Sequence, residues 1–135
     1  MRLDIVTPEK KAFSDEVDNV VVPGSEGDMG ILPAHAPIVG TLRPGELVYK
    51  KEDEEYHLAV GTGIVEISKD RVSVLTDMAL GEHELDEEDV IEQALERAQK
   101  AMEEKSEPED VAAAQVLIQK QLAKLHVKRR RRRRL

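Results

Sequence analysis

The feature that most constrains this chain is a change in the spacing of its apolar residues after Asp77. Before that point, short β-branched runs such as residues 17–22 and 72–75 are separated by turn residues. Many short strands with regular turns favour a sandwich or a barrel. After that point, apolar residues recur every three or four positions, which is typical of amphipathic helices. The sequence therefore predicts an α+β fold, in which an all-β sandwich of short antiparallel strands precedes helices.

Two helices are predicted in the C-terminal part, and a short connection between them favours an antiparallel hairpin. Their apolar stripes are, in order, Ile91, Leu95, Ala98 and Met102, then Val111, Ala114, Ile118, Leu122 and Leu125. We therefore divide the chain into a β-sandwich domain, residues 1–84, and a helical hairpin with an arginine-rich tail, residues 85–135. Because alanine is frequent on both helices, the hairpin needs support from the sandwich or from a partner. It is either a fixed cap or a moving part.

Composition excludes several classes of function. The chain of 135 residues has a net charge of -8 and no cysteine, which excludes a disulfide scaffold, a cysteine zinc site and a cysteine nucleophile. One Phe and two Tyr provide few rings for stacking, which disfavours a single-strand nucleic-acid binder. No signal peptide and no run of about 18 apolar residues is recognisable. We expect a soluble, cytoplasmic protein with no direct membrane insertion.

No arrangement of residues predicts catalysis. The histidines are scattered and form no helical metal-binding pair. Ser25 lies in a Gly-Ser-Glu-Gly segment that lacks the strand–turn–helix context of a nucleophile elbow. The carboxylates of residues 53–55 and 87–89 fit solvated turns. We therefore expect no catalytic residue, no metal site and no cofactor, and an enzyme is the disfavoured alternative.

Two glycine-containing segments carry local information. Residues 22–37 hold three glycines and three prolines, which predicts a stiff loop at the edge of the sandwich from which Glu26 and Asp28 project. Such a loop is either a structural corner or a rigid contact surface, and we favour contact because loops on rigid scaffolds carry binding. Gly61 and Gly63 precede a strand, where glycine indicates a bulge or a close approach of two backbones.

Three parts of the chain together resemble the epsilon subunit of bacterial F-type ATP synthases. They are the Gly/Pro-rich residues 23–37, residues 61–67 followed by 72–77 and Ala79, and the helical ending at residues 122–127. The resemblance covers nearly the whole chain, in order, up to Val127. It implies an N-terminal β-sandwich and a C-terminal helical hairpin, which agrees with the spacing of the apolar residues.

The resemblance implies a non-catalytic subunit of the central stalk, the rotor of a proton-translocating ATP synthase. Such a subunit binds the gamma subunit, touches the c-ring and helps to couple ion flow to ATP synthesis. Its helices reach the alpha/beta catalytic head and restrain ATP hydrolysis. The implied location is the cytoplasmic face of the bacterial cell membrane, as a peripheral subunit, with no nucleic-acid partner.

The resemblance also implies roles for particular residues. The c-ring contact loop is matched by Ser25, Glu26, Gly27, Asp28, Met29 and His35. Leu85 and Asp86 match the first half of a motif, Ile/Leu-Asp-x-x-Arg-Ala, that contributes to ATP binding in some bacterial members. Asp89 and Val90 stand where that motif has Arg and Ala. Because an anion beside a triphosphate is unfavourable, we expect weak or absent ATP binding.

The basic end exceeds the usual family pattern. A continued second helix would align Lys120, Lys124 and Lys128 on one face. The tail then adds Arg129, Arg130, Arg131, Arg132, Arg133 and Arg134. These cations predict contact with an acidic surface. That surface is either the chain's own acidic body, with the hairpin folded, or, by resemblance, an acidic segment of the catalytic beta subunit, with the hairpin extended. We favour the extended, inhibitory contact; a disordered tail and a nucleic-acid module are the alternatives.

Overall fold

The computed structural model describes residues 1–104 and 107–134, with side chains as far as Arg130. In these residues, ten strands precede two helices, with a 3-10 turn at Glu82–Glu84 between them. The strands are β1 Arg2–Val6, β2 Lys11–Glu16, β3 Asn19–Gly24, β4 Gly27–Ile31, β5 Ile38–Leu42, β6 Gly45–Lys51, β7 Glu54–Val60, β8 Gly63–Ile67, β9 Arg71–Thr76 and β10 Ala79–Gly81. The helices are α1 Glu88–Glu104 and α2 Pro108–Arg134. The predicted order, strands first and a helical hairpin last, is confirmed.

The strands form a sandwich, and β3 links its two groups of strands. Through the described chain their order is β10-β7-β6-β3-β5-β8-β9-β1-β2, and β4 joins β3 as a branch. Along one edge, β3 pairs first with β6, at residues 19–21, and then with β5, where Gly24 lies opposite Leu42. Neighbouring strands are antiparallel, as predicted, except for β1 and β9, which are parallel. That exception is possible because β1 and β9 are far apart in sequence and need no tight turn between them.

The core of the sandwich is aliphatic, because the composition supplies few rings. Apolar residues at every second position of β1, β8 and β9 are buried, as expected for strands with one face toward the core. The buried apolar residues of these strands are Leu3, Ile5, Val65, Ile67, Val72 and Val74. The polar residues Asp4 of β1 and Thr76 of β9 are buried as well. The alternation of apolar and polar residues that predicted the strands therefore also determines which side chains fill the core.

The hairpin is folded onto the sandwich, with α2 lying between α1 and the strands β6 and β7. Toward the sheet, Ala123 and Val127 of α2 pack in one cluster with Ala59 and Leu85. Leu122, which the predicted apolar stripe placed on the buried side, is 39% exposed. That part of the prediction was wrong because a helix packed on two sides has two buried faces, which a single stripe does not describe.

Gly63 lies where two backbones approach closely, and this prediction is confirmed. A Cβ atom on Gly63 would lie 1.9 Å from the carbonyl oxygen of Leu75 on β9. A backbone atom in a hydrogen-bonded strand cannot rotate out of the way, as a side chain can. Glycine at this position therefore sets the spacing of β8 and β9.

We expect Gly63→Ala to destabilise the folded chain by about 1–3 kcal/mol, because the added methyl group forces β8 away from β9. Gly30→Ala is the matched control, since a Cβ on Gly30 meets no atom within 4 Å. Urea unfolding of the full chain, followed by circular dichroism, measures both variants. Equal unfolding midpoints would contradict the close approach at Gly63.

Candidate functional site

Residues 22–37 form a β-hairpin followed by a connection with a turn at Pro33 and Ala34, whereas the sequence predicted one loop. β3 and β4 pair as far as Gly24 and Gly27, and Ser25 and Glu26 make the turn at the tip. Gly27 has a φ of 130°, a backbone conformation that residues with a side chain rarely adopt. The prediction of a loop was wrong because the glycines that indicated it lie within the two strands.

The tip of this hairpin is held by its neighbours. The Ser25 amide donates to the carbonyl oxygen of Thr41 at 2.9 Å, and the two hydroxyls of these residues lie 2.5 Å apart. Arg43 Nη2 donates to Asp28 Oδ1 at 2.9 Å, and Arg43 Nε donates to the carbonyl oxygen of Gly24 at 3.1 Å. Arg43 therefore fixes the turn and partly neutralises Asp28. Sequence reasoning missed Arg43, and its place beside a Pro-Gly turn was the available signal.

Five of the six predicted c-ring contact residues border one open groove of about 570 Å³. Residues 24–29, part of β5 and Ile64 line this groove. The side chains of Ser25, Glu26 and Asp28 are exposed there, and that of Met29 is half-buried. The hairpin thus presents two carboxylates on a braced turn.

His35 lies apart from the other predicted contact residues. It follows β4 at the end opposite the tip, and a strand of that length spans roughly 13 Å. The Ala34 amide donates to the carbonyl oxygen of Lys69 at 3.0 Å, which ties this segment to the turn between β8 and β9. Within the described sheet β4 pairs with β3 alone. The edge of β4 therefore runs from the hairpin tip to Ile31, and we call this edge, together with the turn that leads on to His35, the β4 edge.

An exposed apolar patch lies on the outer face of β5, β8, β9 and β1, and the sequence analysis did not identify it. Ile64, Leu75 and Val6 are neighbours across three strands, and Val39 on β5 is 73% exposed. We call the exposed Val39, Ile64 and Leu75, together with the half-buried Val6 beside Leu75, the outer apolar patch. Contiguous exposed apolar residues of this kind mark interaction surfaces. The available signal was the presence of apolar residues on both faces of β8 and β9.

Leu85 and Asp86 lie at the junction of the sandwich and the hairpin. Leu85 is buried beneath α2, in the cluster with Ala123 and Val127, whereas Asp86 is exposed. Asp89, in the first turn of α1, is also exposed. The half motif that the sequence analysis identified therefore places one anchoring side chain and one free carboxylate at the base of α1.

The basic end of α2 contacts acidic residues of the same chain. Lys120 Nζ lies 2.7 Å from Asp77 Oδ2. The guanidinium of Arg129 donates to Glu88 Oε1 at 2.8 Å and to Glu92 Oε1 at 2.9 Å. Hydrogen bonds to Glu88 and then Glu92 raise the pKa of Arg129, so the side chain stays charged.

Arg130 makes a two-pronged contact with β6. Its Nε and Nη2 donate to the two carboxylate oxygens of Glu46 at 3.1 and 2.9 Å. Glu46 Oε1 also lies 3.4 Å from Nδ1 of the buried His57. Lys124 and Lys128 are half-buried on the same helix, which continues through both residues. The side chains of Arg131, Arg132, Arg133 and Arg134 lie outside the described residues.

Two further features of the described residues bear on function. They contain no group of three His, Asp or Glu side chains that could hold a metal ion. None of their helices is long and apolar enough to cross a membrane.

Comparison with known proteins shows the family to which this chain belongs. A family model described as the ATP synthase delta/epsilon chain, beta-sandwich domain, matches residues 1–82. The ATP synthase epsilon chain of Dehalococcoides mccartyi is 44% identical over 133 residues, which cover 98% of this chain and 94% of that one. The ATP synthase epsilon chain of Herpetosiphon aurantiacus is 39% identical over 134 residues, which cover 99% and 98%.

A solved structure shows the same fold. It is a chain in the cryo-EM structure of Euglena gracilis mitochondrial ATP synthase, OSCP/F1/c-ring in rotational state 1, with a TM-score of 0.74 at 21% identity. The match covers 87% of this chain and 74% of that chain. The bacterial relatives match the sandwich and the hairpin together, over almost their full lengths. From the two-part fold and these identities, we conclude that the chain belongs to the family of ATP synthase epsilon chains.

Proposed function

We propose that the chain is a non-catalytic subunit in the central stalk of a proton-translocating F-type ATP synthase, where it binds the gamma subunit and the c-ring. The observation that carries this proposal is the match of sandwich and hairpin together to ATP synthase epsilon chains. In this proposal residues 1–84 attach the subunit to the rotor, and residues 85–135 regulate it. The subunit lies on the cytoplasmic face of the bacterial cell membrane as a peripheral part of the complex.

The β4 edge is the surface proposed for the c-ring. It presents Glu26 and Asp28 at one end, the 63% exposed Leu32 near the other, and His35 beyond it. A strand edge braced by Arg43 keeps its shape under load better than a free loop does, and a rotor contact must transmit torque. Arg43 acts at the tip, where five of the six residues of the predicted contact lie, and His35 lies at the far end of the edge.

The outer apolar patch is the surface proposed for the gamma subunit. Val39, Ile64 and Leu75 expose apolar area on a rigid sheet, and burial of such area drives stable association. The patch adjoins the groove beside the hairpin tip, since Val39 and Ile64 border both. One subunit can therefore contact two rotor partners through neighbouring surfaces.

The double variant Glu26→Lys with Asp28→Lys tests the ring contact and the proposed function. It reverses the charge of the tip and removes the ion pair of Asp28 with Arg43. We expect proton pumping driven by ATP hydrolysis to fall several-fold in membrane vesicles, while hydrolysis itself continues. Quenching of a pH-sensitive dye measures the pumping.

The matched control for that variant is Glu103→Lys with Glu104→Lys, an equal change of charge at exposed positions near the end of α1. Thermal unfolding and co-purification with the gamma subunit establish that the sandwich is intact in both. Normal pumping by the Glu26 and Asp28 variant would count against the ring contact.

The hairpin is proposed to restrain ATP hydrolysis when α2 extends into the alpha/beta catalytic head. In the extended state, an acidic segment of the beta subunit would receive the cations of α2, which are Lys120, Lys124, Lys128 and residues 129–134. The small apolar contact between α2 and the sheet supports this, because only two α2 side chains, Ala123 and Val127, belong to that cluster in the described chain. A helix held by so little apolar area can leave the sheet.

Deletion of residues 128–135 should raise the rate of ATP hydrolysis by the assembled enzyme, because the truncated helix loses the cations that hold it in the head. The measurement is the ATPase activity of membranes, with subunit stoichiometry checked on gels. Unchanged or slower hydrolysis in fully assembled complexes would exclude an inhibitory role for the tail.

Weak or absent ATP binding by the isolated chain is proposed from the first turn of α1. Asp89 is an exposed anion where the related motif has Arg, and Leu85 of that motif is buried beneath α2. The guanidinium of Arg129 approaches this turn but already pairs with Glu88 and Glu92. A triphosphate would have to displace those carboxylates.

Isothermal titration calorimetry of the full chain with ATP should therefore show no binding in the micromolar range. Asp89→Arg with Val90→Ala should tighten binding, because it replaces an anion with a cation. Glu96→Arg, a similar change of charge at another exposed position on α1, is the control and should have less effect. A micromolar dissociation constant for the unmodified chain would show the proposal wrong.

A further inference from the structure

We propose that Arg129 and Arg130 form a clasp that keeps the hairpin folded on the sandwich without any bound nucleotide. Two consecutive residues of α2 reach two different elements: Arg129 binds Glu88 and Glu92 on α1, and Arg130 binds Glu46 on β6. A single turn of α2 thus ties both helices and the sheet together. The clasp needs only these contacts, whereas its effect on ATP hydrolysis rests on the proposed function.

Both contacts have the geometry of strong, charge-assisted hydrogen bonds. Arg130 meets Glu46 through two parallel hydrogen bonds, and Arg129 bridges two carboxylates that are four residues apart on α1. Planar guanidinium groups hold carboxylates in this way more firmly than ammonium groups do. The Glu46 side chain is only 15% exposed, so water screens its charge less than at an open surface. These contacts are therefore more than incidental surface pairs.

A third ion pair extends the clasp along the sheet-facing side of α2. Lys120 binds Asp77, which follows β9, and the apolar residues Ala123 and Val127 lie between Lys120 and Arg130 on the helix. The spacings of three, four and three residues place these four side chains on one face. A short apolar strip is thus closed at each end by an ion pair.

Arg129 of the clasp brings a positive charge to the part of α1 where the related ATP-binding motif has an arginine. Asp89 replaces that arginine, and Arg129 reaches the same turn from α2 through Glu88 and Glu92. The attraction between α1 and α2 is therefore built into the chain. In the folded state Arg129 and Arg130 already bind carboxylates of the same chain. The hairpin therefore cannot keep these contacts with the sandwich and α1 while the two arginines bind an acidic partner.

A distance measurement on the isolated full chain tests the clasp. The chain has no cysteine, so Lys69→Cys and Gln115→Cys place spin labels on the sandwich and on α2. The acceptor variant removes the carboxylates that accept hydrogen bonds from the clasp, and it combines Glu46→Gln, Glu88→Gln and Glu92→Gln. Its control removes three other carboxylates of α1 and combines Glu96→Gln, Glu103→Gln and Glu104→Gln. We expect one narrow distance distribution for the unmodified chain and the control, and a several-fold larger undocked fraction, with a broad distribution, for the acceptor variant.

The donor variant, Arg129→Gln with Arg130→Gln, completes a double-mutant cycle. It should undock the hairpin to a similar extent, and joining it to the acceptor variant should add little, because both remove the same contacts. Millimolar ATP should leave the distances of the unmodified chain unchanged. Any of three results would overturn the clasp: equal distances for the acceptor variant and its control, fully additive effects of the two variants, or docking that requires ATP.

The assembled enzyme separates the clasp from the proposed function. The acceptor variant keeps every arginine, so its freed helix should lower ATP hydrolysis by the complex, whereas the donor variant should not. If the hairpin undocks in the isolated acceptor variant but hydrolysis by the complex is unchanged, the clasp stands and the inhibitory role fails. If the distances do not change, the clasp itself fails.

Discussion

The arrangement of the C-terminal half depends on one interface, the contact of α2 with β6 and β7. On the helix side this contact buries one valine, Val127, and one alanine, Ala123. Full burial of a valine contributes about 1.5–3 kcal/mol, and an alanine contributes less. Because α1 packs on α2, the position of the whole hairpin follows from this small apolar area. With so little apolar area, the ion pairs of the proposed clasp can decide whether the hairpin stays docked.

Charge segregation along the sequence provides those ion pairs. The sandwich and α1 are acidic, and the end of α2 is basic, so the folded hairpin brings opposite charges together at Glu46, Glu88 and Glu92. The core of the sandwich, in contrast, is filled by aliphatic side chains. Docking of the hairpin should therefore weaken more than the packing of that core as salt screens the ion pairs.

The sequence predicted those features that depend on local spacing. The strands, the two helices and the close approach at Gly63 all follow from the period of apolar residues and from glycine beside a strand. The β3–β4 hairpin was missed because glycine and proline signal a turn without showing how far the flanking strands extend. The partners of Arg129 lie 41 and 37 residues away. With 28 acidic residues in the chain, no local pattern selects the ones that pair.

The exchange of charge at the start of α1 explains why a family resemblance can mislead at a single position. In the related motif, a cation on the first helix and a bound nucleotide attract each other. Here the first helix carries Asp89, Glu88 and Glu92, and the cation comes from Arg129 on the second helix. In this chain the positive and the negative groups belong to the two helices of the hairpin itself. In the proposed clasp, competition by another acidic surface can therefore break the contact. Under that proposal, a change of a few residues keeps the fold and alters the signal to which the hairpin responds.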